Sequence, residues 1–235
     1  MSWQACHRTR SIRATGRWAH LSDSAQRCAA TLQRLSLILD AGGTAPESVA
    51  LLCDRSSRIL GTAAAATLGL PARDFDPGQP AAHSLVVAYD LTKTDPSAVE
   101  ALRERAPGLI LFERATRWTD PPRVTADVSG LLGQAVIPAW AGKPQLLEDG
   151  TVGQTPADDR PSEAVAAEII DGAPQPDEGD GSTPPDPDEG LRCFVEAVTA
   201  AGIRDSDSGW LGGIREYSWP TCSVFPTAPT RCART

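Results

Sequence analysis

The pentapeptide Asp54-Arg55-Ser56-Ser57-Arg58 follows directly on the apolar run Val49–Cys53 and opens an alanine-rich helical pattern that closes at Gly69. Two hydroxyls, two guanidinium groups and the N–H groups of a helix start all suit a phosphate or a carboxylate. The same residues have a purely mechanical use, in which Ser56 or Ser57 caps the helix and both arginines face water. The turn contains no glycine, so its backbone cannot wrap a phosphate closely. Neither the P-loop nor the dinucleotide fingerprint is present.

Two more carboxylates follow apolar runs in the same way. Asp90 comes after Ser84–Tyr89 and Glu113 after Leu109–Phe112. If the three strands are neighbours, Asp54, Asp90 and Glu113 converge where open parallel sheets bind ligands, beyond the carboxyl ends of the strands. Such a set can divide acid and base roles or hold Mg²⁺ through oxygen ligands. Charged residues also collect at strand ends simply because the chain is leaving the core. Lys93, one of only two lysines, lies in the turn after Asp90, within reach of a substrate anion there. Its plain alternative is a solvated loop lysine.

The order of these pieces resembles two sugar-phosphate families over residues 48–115. "DRSSR" after a strand is similar to the serine-rich turn of sugar-isomerase domains. "ATLGLP" followed by "SLVVAYDLTKTD" resembles the order in type I phosphoribosyltransferases, whose diphosphate-ribose loop places two acids before Thr-Thr-Gly. Here that loop would be Tyr89-Asp90-Leu91-Thr92-Lys93-Thr94, which departs from the pattern and leaves the family unassigned. "VVAYDLTKTD" is also similar to the Asp-x-Asp strand end of Asp-nucleophile phosphatases, with Thr92 in place of the second acid.

Other chemistries find little support. None of His7, His20 and His83 stands at an expected carboxyl end of a strand, as a catalytic triad would need. Cys53 is expected as a buried, inert thiol. Cys6 and His7 are adjacent, and no paired spacing links them to His20, Cys28, Cys222 or Cys232 as zinc would require.

The elements that must position these residues follow from periodicity. Residues 22–41 read as an amphipathic helix, capped by Ser22, with Asp23 at the positive end of its dipole and Gly42-Gly43 as its stop. Strands are expected at Val49–Cys53, Ala72–Phe75, Ser84–Tyr89, Leu109–Phe112 and Ala135–Ile137. Helices are expected at Ser57–Leu68, Pro96–Arg105 and Val124–Leu132, the last opened by Asp120-Pro121-Pro122. Strands apolar at every position are strands covered on both faces. The expected fold is therefore α/β, a single doubly wound and mostly parallel sheet with helices on both faces.

Composition sets the outer limits. The chain has 235 residues, 41% of them hydrophobic, with 20 prolines and 20 glycines. Residues 1–20 form a basic arm with Arg8, Arg10, Arg13 and Arg17; 21–170 form the α/β domain, with a further helix over 157–170. Residues 171–190, acidic and proline-rich, read as a disordered linker, and 191–235 as a short helix and an irregular tail bearing Trp210, Tyr217, Trp219 and Phe225. A net charge of −8 argues against nucleic acid as a partner outside residues 1–20. No apolar run reaches membrane-spanning length, and the first residues lack a signal-peptide core, so a cytoplasmic location with reduced cysteines is expected.

The expected function is an enzyme acting on a phosphorylated or anionic small molecule. Arg55, Ser56, Ser57 and Lys93 would hold the anion, and Asp54, Asp90 and Glu113 would supply acid and base groups. The alternative is a non-catalytic α/β module that binds a protein or nucleic acid through its arm and tail. Cofactor, oligomeric state and substrate are not specified by the sequence.

Overall fold

The computed structural model describes residues 3–4, 20–117, 119, 123–147, 150–174 and 187–201. The elements in chain order begin with β1 (Trp3–Gln4), β2 (His20–Ser22), α1 (Ala25–Ala41), β3 (Ser48–Leu51), α2 (Arg55–Leu68), β4 (Ala72–Asp74) and β5 (Ser84–Ala88). A 3₁₀ turn (Leu91–Lys93), α3 (Pro96–Arg103), β6 (Ile110–Arg117), β7 (Val128–Gly133) and β8 (Ala135–Ile137) follow. The described chain continues through β9 (Pro144–Leu146), β10 (Val152–Gln154), α4 (Ser162–Asp171) and α5 (Asp188–Ala200).

Six strands form one sheet in the order β1-β7-β6-β5-β3-β4, parallel throughout. Successive side chains point to opposite faces of a strand, so an unbroken apolar run must be covered twice. Val49, Leu85, Val87, Ile110 and Phe112 enter a core with α1, α2, α4 and α5. Ala50, Val86, Ala88 and Leu111 enter a second core, where Ala98, Val99 and Leu102 of α3 cover them. The molecule is thus a doubly wound α/β protein with helices on both faces of a parallel sheet.

Helix ends follow local chemistry in most places. Asp95 caps α3 with Pro96 at its first position, as the Asp-Pro pair predicts. Gly69 closes α2 with φ +66°, a left-handed conformation that costs glycine nothing. Helix α1 differs from expectation, because Ser22 belongs to β2 and the cap is Ser24, whose hydroxyl accepts from Arg27 N–H at 3.2 Å.

The expected helix over 124–132 is instead strand β7. Its start is fixed by Asp127, whose carboxylate accepts Leu111 N–H at 2.8 Å and pairs with Arg105. Gly130 then lets α1 approach, since a Cβ there would lie 2.9 Å from Thr31 Cγ2 and 3.2 Å from the Arg114 carbonyl oxygen. The buried run Val128–Leu131 is a central strand whose apolar content resembles a helix face.

Three other expectations are corrected. Strand β8 does not join the main sheet, but pairs in parallel with β2. The basic arm is not wholly free of the domain, because Trp3 and Gln4 add an edge strand beside Val128 and Ser129. Residues 188–190, assigned to the linker, are the first turn of α5, which packs on α1 through the buried Leu191 and Val195. The rest of the arm, most of the linker and the aromatic tail lie outside the described residues. Among those residues, no helix is long and apolar enough to cross a membrane.

Candidate functional site

The chain runs from β3 outward to β4, then returns to the other side of β3 to build β5, β6 and β7. This is the 2-1-3-4-5 order of doubly wound sheets, whose ligand crevice opens where the winding reverses, beyond the carboxyl ends of β3 and β5. Two turns leave those ends: Cys53–Ser57 after β3 and Tyr89–Thr94 after β5. They touch where Thr94 Oγ1 donates to Asp54 Oδ2 at 3.4 Å.

Every side chain of the Asp54–Arg58 turn has a partner. Asp54 is the cap of α2, accepting Ser57 N–H at 2.9 Å, so the cap is neither Ser56 nor Ser57. Arg55 donates to the Asp158 and Arg160 carbonyls, each at 2.8 Å, which ties α2 to the strand of chain entering α4. Ser56 Oγ accepts from Trp140 Nε1 at 3.0 Å, and the buried Ser57 Oγ accepts from Tyr89 N–H at 2.9 Å. Arg58 reaches Asp74 at 2.8 Å. The arginines therefore do not simply face water. Cys53, expected to be buried, is an exposed free thiol beside this turn.

The turn after β5 is shaped from behind by carboxylates. Asp90 Oδ1 accepts the N–H and the hydroxyl of Thr92, at 3.0 and 2.6 Å. Its Oδ2 accepts Nε and Nη2 of Arg117, at 3.0 and 2.8 Å. Glu113 does not follow its strand as expected; it lies inside β6, beside Ala88. Its Oε1 accepts Leu91 N–H at 2.8 Å, while Oε2 lies 2.6 Å from the Thr116 hydroxyl, which is 2.9 Å from Ser129 Oγ. Burial pushes the Glu113 carboxyl up to about 7, against opposing hydrogen bonds from Thr116 and Leu91.

All three predicted acids thus contact the Asp90–Thr94 segment: Asp54 through Thr94, Asp90 from within it, and Glu113 through Leu91. They do not form a Mg²⁺-type carboxylate group, because no set of three or more His, Cys, Asp or Glu among the described residues is placed to hold a metal ion. Lys93 is exposed at the end of the 3₁₀ turn, and its ammonium enters no ion pair among the described residues.

Behind the site lies a sealed polar cluster that sequence reasoning missed. Arg114 Nη2 meets Asp23 Oδ1 at 2.9 Å, and Asp23 Oδ2 accepts the Tyr89 hydroxyl at 2.9 Å and the Cys28 thiol at 3.4 Å. Burial, with the Asp23 carboxylate beside it, pushes the Cys28 thiol up to about 12 and raises the Tyr89 phenol as well. Tyr89 is held at its N–H by Ser57, at its carbonyl by Ala115 N–H and at its hydroxyl by Asp23. The Trp140 ring meets it edge-on at 5.3 Å. Asp90, the next residue, leaves a fixed point.

Fold and site together define a doubly wound α/β protein with a charged turn at its switch point. No protein-family model matches the chain, and the search of curated proteins gives no match. Among solved structures the chain is similar to a purine phosphoribosyltransferase from Pyrococcus horikoshii Ot3, at 13% identity and a TM-score of 0.43, over 55% of this chain and 99% of that one. A likeness of this size carries no argument about substrate or reaction.

Proposed function

We propose that the protein is a cytoplasmic enzyme acting on a phosphorylated or otherwise anionic small molecule, held beyond the carboxyl ends of β3 and β5. One observation carries the reading: the winding reverses between the two strands whose turns bear Asp54 and Asp90, and those turns touch through Thr94. Lys93 takes the leading role toward the anion, because Arg55, Ser56 and Ser57 spend their side chains on the shape of the turn. Asp54 is the acid or base nearest the crevice, with Asp90 and Glu113 setting the turn opposite.

The test is the thermal midpoint of the full chain against a panel of sugar phosphates and nucleotides, with and without Mg²⁺. A ligand at a hundred times its dissociation constant adds about 2.7 kcal/mol to the folded state. A shift that shrinks in Lys93→Ala and Asp54→Asn supports the site; an equal shift in both variants removes it.

A second reading is favoured by the fully committed side chains of Asp54–Arg58. On that reading the α/β body is a scaffold, and residues 1–20 and the chain after α5 bind a protein or nucleic acid. It requires that the whole panel leave the midpoint unmoved.

A further inference from the structure

We propose that Arg117 is an anion-binding residue of this same edge, held in reserve by Asp90, and that a phosphate-bearing ligand takes it over by displacing the Asp90 carboxylate. The inference rests on the proposed function and deepens it, naming the cation that receives the phosphate and the contact that must open.

Arg117 is the last residue of β6 and Asp90 follows the adjacent strand β5, so both lie at the carboxyl edge of the sheet. A guanidinium presents its donors as a planar fork that matches two oxygens of one anion. Here Nε and Nη2 converge on a single oxygen, Asp90 Oδ2. That leaves the fork mismatched to its partner. A phosphate group offers several oxygens and more charge, so it competes well for the same donors.

Asp90 is built to let go. Its other oxygen keeps both bonds from Thr92, so the carboxylate can release Arg117 without the turn losing its cap. The setting also permits exchange, because the Arg117 side chain is 23% exposed whereas that of Arg114, on the same strand, is 4% exposed. Lys93 belongs to the same turn, its N–H bonded to the Asp90 carbonyl at 2.9 Å. A phosphate arriving there would meet an ammonium already available and a guanidinium it can win.

Calorimetric titration of the full chain with inorganic pyrophosphate at low salt tests this, using the wild type, Asp90→Asn, Arg117→Gln, Arg117→Lys and Lys93→Ala. The asparagine still accepts from Thr92 but offers no charge to Arg117, so Asp90→Asn is expected to bind about tenfold tighter than the wild type. Arg117→Gln is expected to bind about tenfold more weakly. Should Arg117→Gln fail to fold by circular dichroism, Arg117→Lys, which keeps a charge without the fork, is expected to be weaker than the wild type.

Asp90→Asn binding no better than the wild type, or Arg117 variants binding as well as it, overturns the displacement. In that case a weakened Lys93→Ala leaves the proposed function standing. Absence of pyrophosphate binding in every protein, Asp90→Asn included, overturns the displacement as well, and the proposed function then stands or falls by the thermal-shift panel.

Discussion

Arg114 and Arg117 stand three residues apart on β6, and each is paired with an aspartate, yet the two pairs occupy different worlds. Arg114 and Asp23 are sealed, with side chains 4% and 1% exposed, and the pair also engages Tyr89 and Cys28. The Arg117 side chain reaches solvent at the edge of the sheet, 23% exposed, while its partner Asp90 is buried. In a sealed pair the cost of stripping water from two charges has already been met, so removing one partner strands the other. Where the guanidinium reaches solvent, water and other anions compete for it. The same chemistry fastens the fold in one place and leaves an exchangeable contact in the other.

Breaking the sealed pair should give the largest effect. Asp23→Ala leaves Arg114 buried without its counter-charge and should lower stability by about 3–5 kcal/mol in urea unfolding. Arg117→Ala should cost less, because Asp90 keeps its two bonds from Thr92. Equal losses would erase the distinction.

Glu113, next to Arg114 but turned toward the open turn, gives the next largest effect. Folded, it keeps its proton up to about pH 7; unfolded, it loses it near its ordinary value of 4.5. The unfolded chain therefore binds fewer protons in that window, and stability falls as pH rises through it, by up to about 3 kcal/mol. Glu113→Gln reproduces the protonated form, accepting from Leu91 and donating to Thr116. Unfolding measured from pH 4.5 to 8 should show this loss in the wild type and a markedly smaller one in the variant, in which the buried Asp127 carboxyl, also raised by burial, still titrates. A parallel decline in both would remove Glu113 from the account.

The smallest effect on stability belongs to Lys93. Exposed and without an ion pair among the described residues, it can be changed to alanine at a cost within about 0.5 kcal/mol in urea unfolding. A larger loss would mean that Lys93 is part of the framework.

These contrasts also mark what the sequence could carry. The alternation from β3 through α2, β5 and α3 to β6 was legible because doubly covered strands are apolar at every position and the helices announce their ends, as at Asp95-Pro96 and Gly69. Strand β7 was not, since Val128–Leu131 is too short for its apolar content to tell strand from helix, and the partners that decide it, Arg105 and Thr31, lie far away in sequence. The converging turns were legible as acids after strands. The arginines were not, because Asp23 and Arg114 are 91 positions apart and no local signal links them. Whether a charged residue is sealed or open depends on what covers it, which only the fold supplies. The capped turn at Asp54 shows the converse: its serines looked like ligand groups, and their partners, Trp140 and Tyr89, stood far off in the sequence.

The most direct test of the central claim asks where a ligand sits. Cys53 is exposed next to Asp54, and Cys193 is exposed on α5 and serves as an internal control. Alkylation of both thiols would be followed by peptide mass spectrometry, with and without the panel member giving the largest thermal shift. Ligand at the switch point should slow Cys53 and leave Cys193 unchanged; an unaltered Cys53 rate in the presence of a stabilising ligand would contradict the site.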